Sequence, residues 1–227
     1  MFNYIVSCGC SFVEGIGCAR RLDERMTKLV ANKFQSEDIN FAVSGGSNDR
    51  SVRKITDWVI NNKNKLDKTL FLIGTTGIAR FELWDNILES YGQGNTSRVD
   101  RVNKDFRNSP TQLVMGIQKT IAKYHQSEKS DLDKTLRNIL SLMLLLEKYN
   151  CKYIIFDSIT NIKKIAKEHD YFNEVFSNKN YYSNESWEEC MLNNSDLVVG
   201  DHPDTKINQL WFEKLIRHGE GVGLWKE

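Results

Sequence analysis

Apolar residues recur along the chain in two rhythms, and the switches between them predict the elements. Short continuous apolar runs, bounded by glycine or polar turns, read as buried strands. They fall at residues 4–9, 39–43, 69–74 and 152–157. Between them the spacing becomes helical. Residues 22–34 place Leu22, Met26, Leu29, Val30 and Phe34 on one face. Residues 51–62 do the same with Val52, Ile55, Val59 and Ile60. The longest helix is expected at 131–149, capped by Ser130 or Asp131. A last helix is expected at 209–217, with Leu210, Trp211, Leu215 and Ile216 inward.

Apolar strands alternating with helices imply a parallel sheet covered on both faces. Right-handed crossovers carry the strand ends that precede helices to one edge of the sheet, where open α/β sheets place their ligands. The segments after Gly9, Val43, Ile73 and Asp157 are therefore expected to converge. Residues 79–130 and 159–194 exceed a minimal alternation. With no composition break between them, they read as elaborations of one domain spanning 1–227, and Trp84, Tyr91, Tyr181, Tyr182 and Trp187 as aromatics that pack these elaborations or stack on a sugar or base.

Composition narrows the function. The 227 residues carry 31 basic and 30 acidic side chains, a net charge of +1. That balance disfavours extended nucleic-acid tracking. Arg20, Arg21, Arg50, Arg53 and Arg80 could still hold a single anionic group. Five cysteines, an odd number without metal-ligand spacing, read as free thiols with no metal site. No basic leader and no apolar run of about 20 residues is present, so neither a signal peptide nor a membrane span is expected. A cytoplasmic location follows as the expectation, or a host cytoplasm or particle for a phage-encoded chain.

Three polar groups stand out. Ser11 follows Gly9-Cys10 directly after the first strand, so its hydroxyl belongs at the active edge or serves as a local cap. Gly45, Gly46 and Asn48 lie in the second loop. Glycine there permits close backbone approach and an N–H aimed at an oxyanion, while Ser47 or Asn48 could simply cap the helix. His202 is the one histidine of four in a Gly-Asp-His-Pro context. His125, His169 and His218 read as solvated surface residues. A serine needs a base to lose its proton, and histidine supplies one near neutral pH.

The segment Gly9-Cys10-Ser11-Phe12-Val13-Glu14-Gly15 resembles the first block of the SGNH (GDSL-like) hydrolases, in a branch common in bacteriophage genomes where Cys replaces the Asp before the serine. Residues 40–48, Asn-Phe-Ala-Val-Ser-Gly-Gly-Ser-Asn, resemble the second block. Residues 72–76 lie where the third sits, and Asp201-His202-Pro203 resembles the last. The resemblance implies a flavodoxin-like three-layer α/β/α sandwich with a parallel sheet of about five strands. It implies Ser11 as nucleophile, His202 as base, and the N–H groups of Ser11 and Gly45 as an oxyanion hole. It implies hydrolysis of a small-molecule or carbohydrate ester through an acyl-enzyme, as a carbohydrate O-deacetylase or small acyl esterase without a cofactor.

Two positions depart from the family pattern. Thr76 stands where the third block supplies an Asn side chain, so Thr76 or Asn48 is left to complete the hole. Val199 stands where the last block has Asp. The nearest carboxylate, Asp201, adjoins His202, and neighbours along an extended chain point apart. Asp201 or a backbone carbonyl then remains to orient the imidazole. Arg80 is the further candidate for substrate contact. An alternative use of the same fold is a weakly active or inactive binding protein for a small ligand or glycan.

Overall fold

The computed structural model describes residues 1–85, 90–95, 120, 127–194 and 201–225, with side chains undescribed in 83–85 and 90–95. Seven strands are described. Five of them, β1 (Tyr4–Cys8), β2 (Glu37–Asn40), β3 (Thr69–Thr75), β6 (Lys152–Asp157) and β7 (Tyr181–Tyr182), form a parallel sheet. Their order across it is β2-β1-β3-β6-β7. The other two, β4 (Arg80–Asp85) and β5 (Ser90–Asn95), make a separate antiparallel hairpin. The described α-helices are α1 (Ser11–Glu14), α2 (Arg21–Glu24), α3 (Met26–Phe34), α4 (Asn48–Asn61), α5 (Glu128–Lys148), α6 (Ile162–Ile165), α7 (Phe172–Phe176), α8 (Trp187–Leu192) and α9 (Thr205–Gly221).

Period-two alternation divides the strands between two cores. Ile5, Leu70, Leu72, Ile154 and Phe156 face one side, with α3, α8 and α9. Val6, Cys8, Phe71, Ile73, Tyr153 and Ile155 face the other, with α4 and α5. The result is a three-layer α/β/α fold. On the first side Trp187 and Trp211 stack with ring centroids 5.5 Å apart, both fully buried. Trp187 also meets Phe12 edge-on at 5.8 Å. This core therefore reaches the loop that carries Ser11.

Several element boundaries move for identifiable reasons. The helix expected at 22–34 is broken at Arg25, whose backbone is extended (φ −63°, ψ 146°). Leu22 is consequently exposed, against expectation. Arg25 is held there by two hydrogen bonds to Asp38 Oδ2, at 3.0 and 2.9 Å. The strand expected at 39–43 is Glu37–Asn40. Its continuation is drawn off by the Asn40 side chain, which accepts from Ala42 N–H at 2.8 Å and donates to Val13 O at 2.8 Å. α4 begins earlier than expected because Ser47 caps it, accepting from Arg50 N–H; Ile60 lies exposed on its far turn. α5 starts at Glu128 because Ser127 and Ser130 form a reciprocal capping box. α9 starts at Thr205, capped by Asp204.

The hairpin is fastened to α4 and α5. Arg53 makes two hydrogen bonds to the Glu82 carboxylate, at 2.8 and 2.7 Å. Asp49 accepts from Glu82 N–H at 3.2 Å, and Lys134 donates to Arg80 O at 3.2 Å. This fixes Arg80 beside the second loop. Among the described residues, no helix is long and apolar enough to cross a membrane. All five cysteines are free.

Candidate active site

β1 lies between β2 and β3, so the chain leaves it in one direction and later returns on the other side. That is a topological switch point, where a crevice opens at the strand ends. The four loops expected to converge do so here. A Cβ on Gly9 would lie 3.0 Å from Gly74 O. One on Gly46 would lie 2.6 Å from Gly9 O, and one on Gly74 would lie 2.4 Å from Ser158 Oγ. Ser158 N–H donates to Thr75 O at 3.2 Å. Glycine at 9, 46 and 74 is what lets three strand ends approach within backbone contact.

Ser11 opens the single turn of α1, 5% exposed. His202 precedes α9, 191 residues later, and its Nε2 lies 3.0 Å from Ser11 Oγ. The Phe12 ring meets the imidazole at 5.8 Å, giving it an apolar wall. Asp201 Oδ1 lies 2.6 Å from His202 Nδ1. The expectation that an adjacent carboxylate would point away from the ring is corrected. Residues 201–202 lie in a bend rather than an extended strand, and the carboxylate folds back onto its neighbour. It does so from water: the Asp201 side chain is 93% exposed. Val199 lies outside the described residues.

In the second loop, Gly45 has a left-handed backbone (φ +76°), and its N–H has no partner among the described residues. The next N–H is engaged: Gly46 donates to Val43 O at 2.9 Å. The Asn48 amide pairs with the Thr76 main chain. It accepts from Thr76 N–H at 2.9 Å and donates to Thr76 O at 3.4 Å, with Thr135 Oγ1 at 3.5 Å. The Thr76 side chain is fully buried and its hydroxyl lacks a partner among the described residues. Arg80 donates to Gly46 O at 3.3 Å. It also acts electrostatically on Glu188, a half-buried carboxyl whose pKa burial raises.

Four features carried no separate signal in the sequence. Asp157, fully buried at the end of β6, accepts from Thr75 Oγ1 (2.7 Å), Tyr181 Oη (2.6 Å) and Ile162 N–H (2.9 Å). Burial raises its pKa to about 6. Asn208, Gly17 and Gly74 owe their importance to partners distant in sequence. His169 and His218 also differ from the solvated residues expected. His169 Nε2 lies 3.5 Å from Asp133, and His218 packs on Tyr182 with its pKa lowered by burial. His125 lies outside the described residues, as do the side chains of Trp84 and Tyr91. Among the described residues, no three His, Cys, Asp or Glu side chains gather to hold a metal ion.

A family model described as a family of unknown function, DUF6071, matches residues 19–219. No curated protein matches the sequence. Among solved structures, the psychrotrophic esterase EstA from Pseudoalteromonas sp. superposes with a TM-score of 0.53 at 14% identity, over 97% of this chain and 98% of that one. TesA superposes with 0.53 at 10% identity, over 96% and 99%. A protein of the G-D-S-L family from Desulfitobacterium hafniense DCB-2 gives 0.52 at 11% identity, over 95% and 99%. The fold is thus the one these proteins share, the SGNH hydrolase fold.

Proposed function

The chain belongs to DUF6071, a family of unknown function, and from its site we propose that it is a serine ester hydrolase working through an acyl-enzyme. The observation that carries this reading is the 3.0 Å approach of His202 Nε2 to Ser11 Oγ. It falls within the reach a general base requires.

In the proposed reaction His202 Nε2 takes the Ser11 hydroxyl proton as Oγ attacks the ester carbonyl carbon. The carbonyl oxygen becomes an oxyanion, held by the N–H groups of Ser11 and Gly45. His202 then returns the proton to the departing alkoxide, releasing an alcohol and leaving the acyl group on Ser11. Water repeats the sequence: His202 takes its proton, the hydroxide adds, and Ser11 leaves with the proton restored. Asp201 accepts from the Nδ1–H and stabilises the imidazolium. Because it sits in water, its contribution is smaller than that of a buried carboxylate.

The oxyanion hole is read as a two-donor hole. Asn48 spends its amide on Thr76, and the Thr76 hydroxyl is covered. Removing one donor typically costs about 100- to 1,000-fold in turnover, so a slow enzyme is expected. Arg80 and Glu188 give the rim a polar character suited to a hydroxylated leaving group. A small acyl ester of a carbohydrate, such as an O-acetyl sugar, is the substrate class this supports. The missing third donor also favours a second reading, a glycan-binding protein on the same fold. Labelling with a fluorophosphonate and turnover of a chromogenic acetyl ester separate the two. Hydrolysis lost in Ser11→Ala and His202→Ala supports the enzyme; tight glycan binding without labelling supports the binding protein.

A further inference from the structure

We infer that Gly17 and Asn208 are positioning residues, which hold His202 at Ser11 by clamping the Pro203 carbonyl between them. The inference rests on the hydrolase reading above and adds how the base is kept in place.

Two elements from distant parts of the sequence meet at one carbonyl. From the first loop comes Gly17, in a left-handed conformation (φ +104°). A Cβ there would lie 2.6 Å from Pro203 O, 3.1 Å from Pro203 C and 3.1 Å from His202 Cβ. The loop leaving α1 therefore lies flush against the His202-Pro203 segment, with no room for a side chain. From α9 comes Asn208, fully buried. Its Nδ2 donates to Pro203 O at 3.0 Å and to Asp204 O at 2.9 Å, and its Oδ1 accepts from Met26 N–H at 2.9 Å. One amide thus ties the start of α9, the start of α3 and the residue after the base. Pro203 contributes a fixed φ of its own. Phe12 packs edge-on against the imidazole at 5.8 Å.

The clamp matters because the Asp201 partner of His202 lies in water. Neither the exposed carboxylate nor the ring contact with Phe12 restrains the main chain. The main chain is held instead at the Pro203 carbonyl, in the residue that directly follows the base. A methyl group at position 17 has to push the Pro203 carbonyl away by about 1 Å, and displacements of that size cost on the order of 100-fold in rate.

The test measures the rate of fluorophosphonate labelling at Ser11 against pH, with thermal unfolding recorded for each variant. Wild type labelled at Ser11, and Ser11→Ala not, establishes the nucleophile independently. Gly17→Ala is then expected to label about 100-fold more slowly, to lose the pH dependence that His202→Ala also loses, and to change kcat rather than KM with an acetyl ester. The double variant Gly17→Ala/His202→Ala should label no more slowly than His202→Ala alone, because both changes remove the same contribution. A purely structural role would make the two effects add. Asn208→Asp keeps the acceptor for Met26 N–H but loses the donor to Pro203 O. It is expected to show the same non-additivity, and it carries the test should Gly17→Ala not fold. Labelling of both variants at the wild-type rate, or additive losses with His202→Ala, overturns the inference while leaving the hydrolase reading standing. Wild type that does not label at Ser11 overturns both.

Discussion

Replacing Asp157 by Asn should change how stability depends on pH. The carboxyl is fully buried, and burial raises its pKa to about 6, outweighing the hydrogen bonds from Tyr181, Thr75 and Ile162 N–H that lower it. In the unfolded chain the value is about 3.9. The folded state therefore holds the proton more tightly. The stability this provides is complete below about pH 4 and is lost as pH rises through about 6. A difference of two pKa units corresponds to about 3 kcal/mol. The amide introduced by Asp157→Asn would not titrate. Its Oδ1 could still accept from Thr75 and Tyr181, which both bond Asp157 Oδ1. Its NH2 group would face Ile162 N–H, at a roughly constant cost of about 1–3 kcal/mol for the unmet donor. Urea unfolding of both proteins at pH 4, 5, 6 and 7 isolates the effect, since other titrating groups cancel in the difference. The stability of wild type relative to Asp157→Asn should fall by up to about 3 kcal/mol across that range. A difference that stays flat, or that grows with pH, refutes the reasoning.

Other perturbations test the site piece by piece. Gly46→Ala places a methyl 2.6 Å from Gly9 O and should part the first two loops, lowering ester turnover by about 100-fold or more. Gly45→Ala meets nothing within 4 Å and keeps its N–H, so it should cost about 1–2 kcal/mol of backbone strain in thermal unfolding yet retain most turnover. Asp201→Ala should lower kcat by about tenfold, near the low end for a hydrogen bond to a charged group, and far less than the roughly 10,000-fold of a buried triad carboxylate. Asn48→Ala removes the acceptor for the buried Thr76 N–H and should destabilise by about 1–3 kcal/mol, read from the urea midpoint.

The strands β1, β3 and β6 were legible because each is a continuous apolar run, and both faces of a parallel sheet are buried. β7 was not: two residues, Tyr181 and Tyr182, carry no period. The break at Arg25 was hidden because its cause, Asp38, lies on a strand 13 residues away. Ser11, Gly45 and His202 were singled out from glycine turns and the His-Pro context; topology alone pointed to the meeting of the loops after Gly9, Val43, Ile73 and Asp157, and the structure adds the approach of His202 to Ser11. The direction expected of the Asp201 side chain assumed an extended chain where there is a bend. Gly17 and Asn208 could not be singled out. What distinguishes Gly17 is contact with a residue near the other end of the chain, and what distinguishes both is a carbonyl held in three dimensions.

The central claim is that Ser11 is an activated nucleophile. Mass spectrometry of the protein after incubation with a fluorophosphonate, alongside release of a chromogenic acetate ester, tests it most directly. The account predicts a single phosphonyl adduct on Ser11 and measurable hydrolysis, both abolished in Ser11→Ala and greatly slowed in His202→Ala. Wild type and Ser11→Ala that remain equally unlabelled, with equal background hydrolysis, would contradict it.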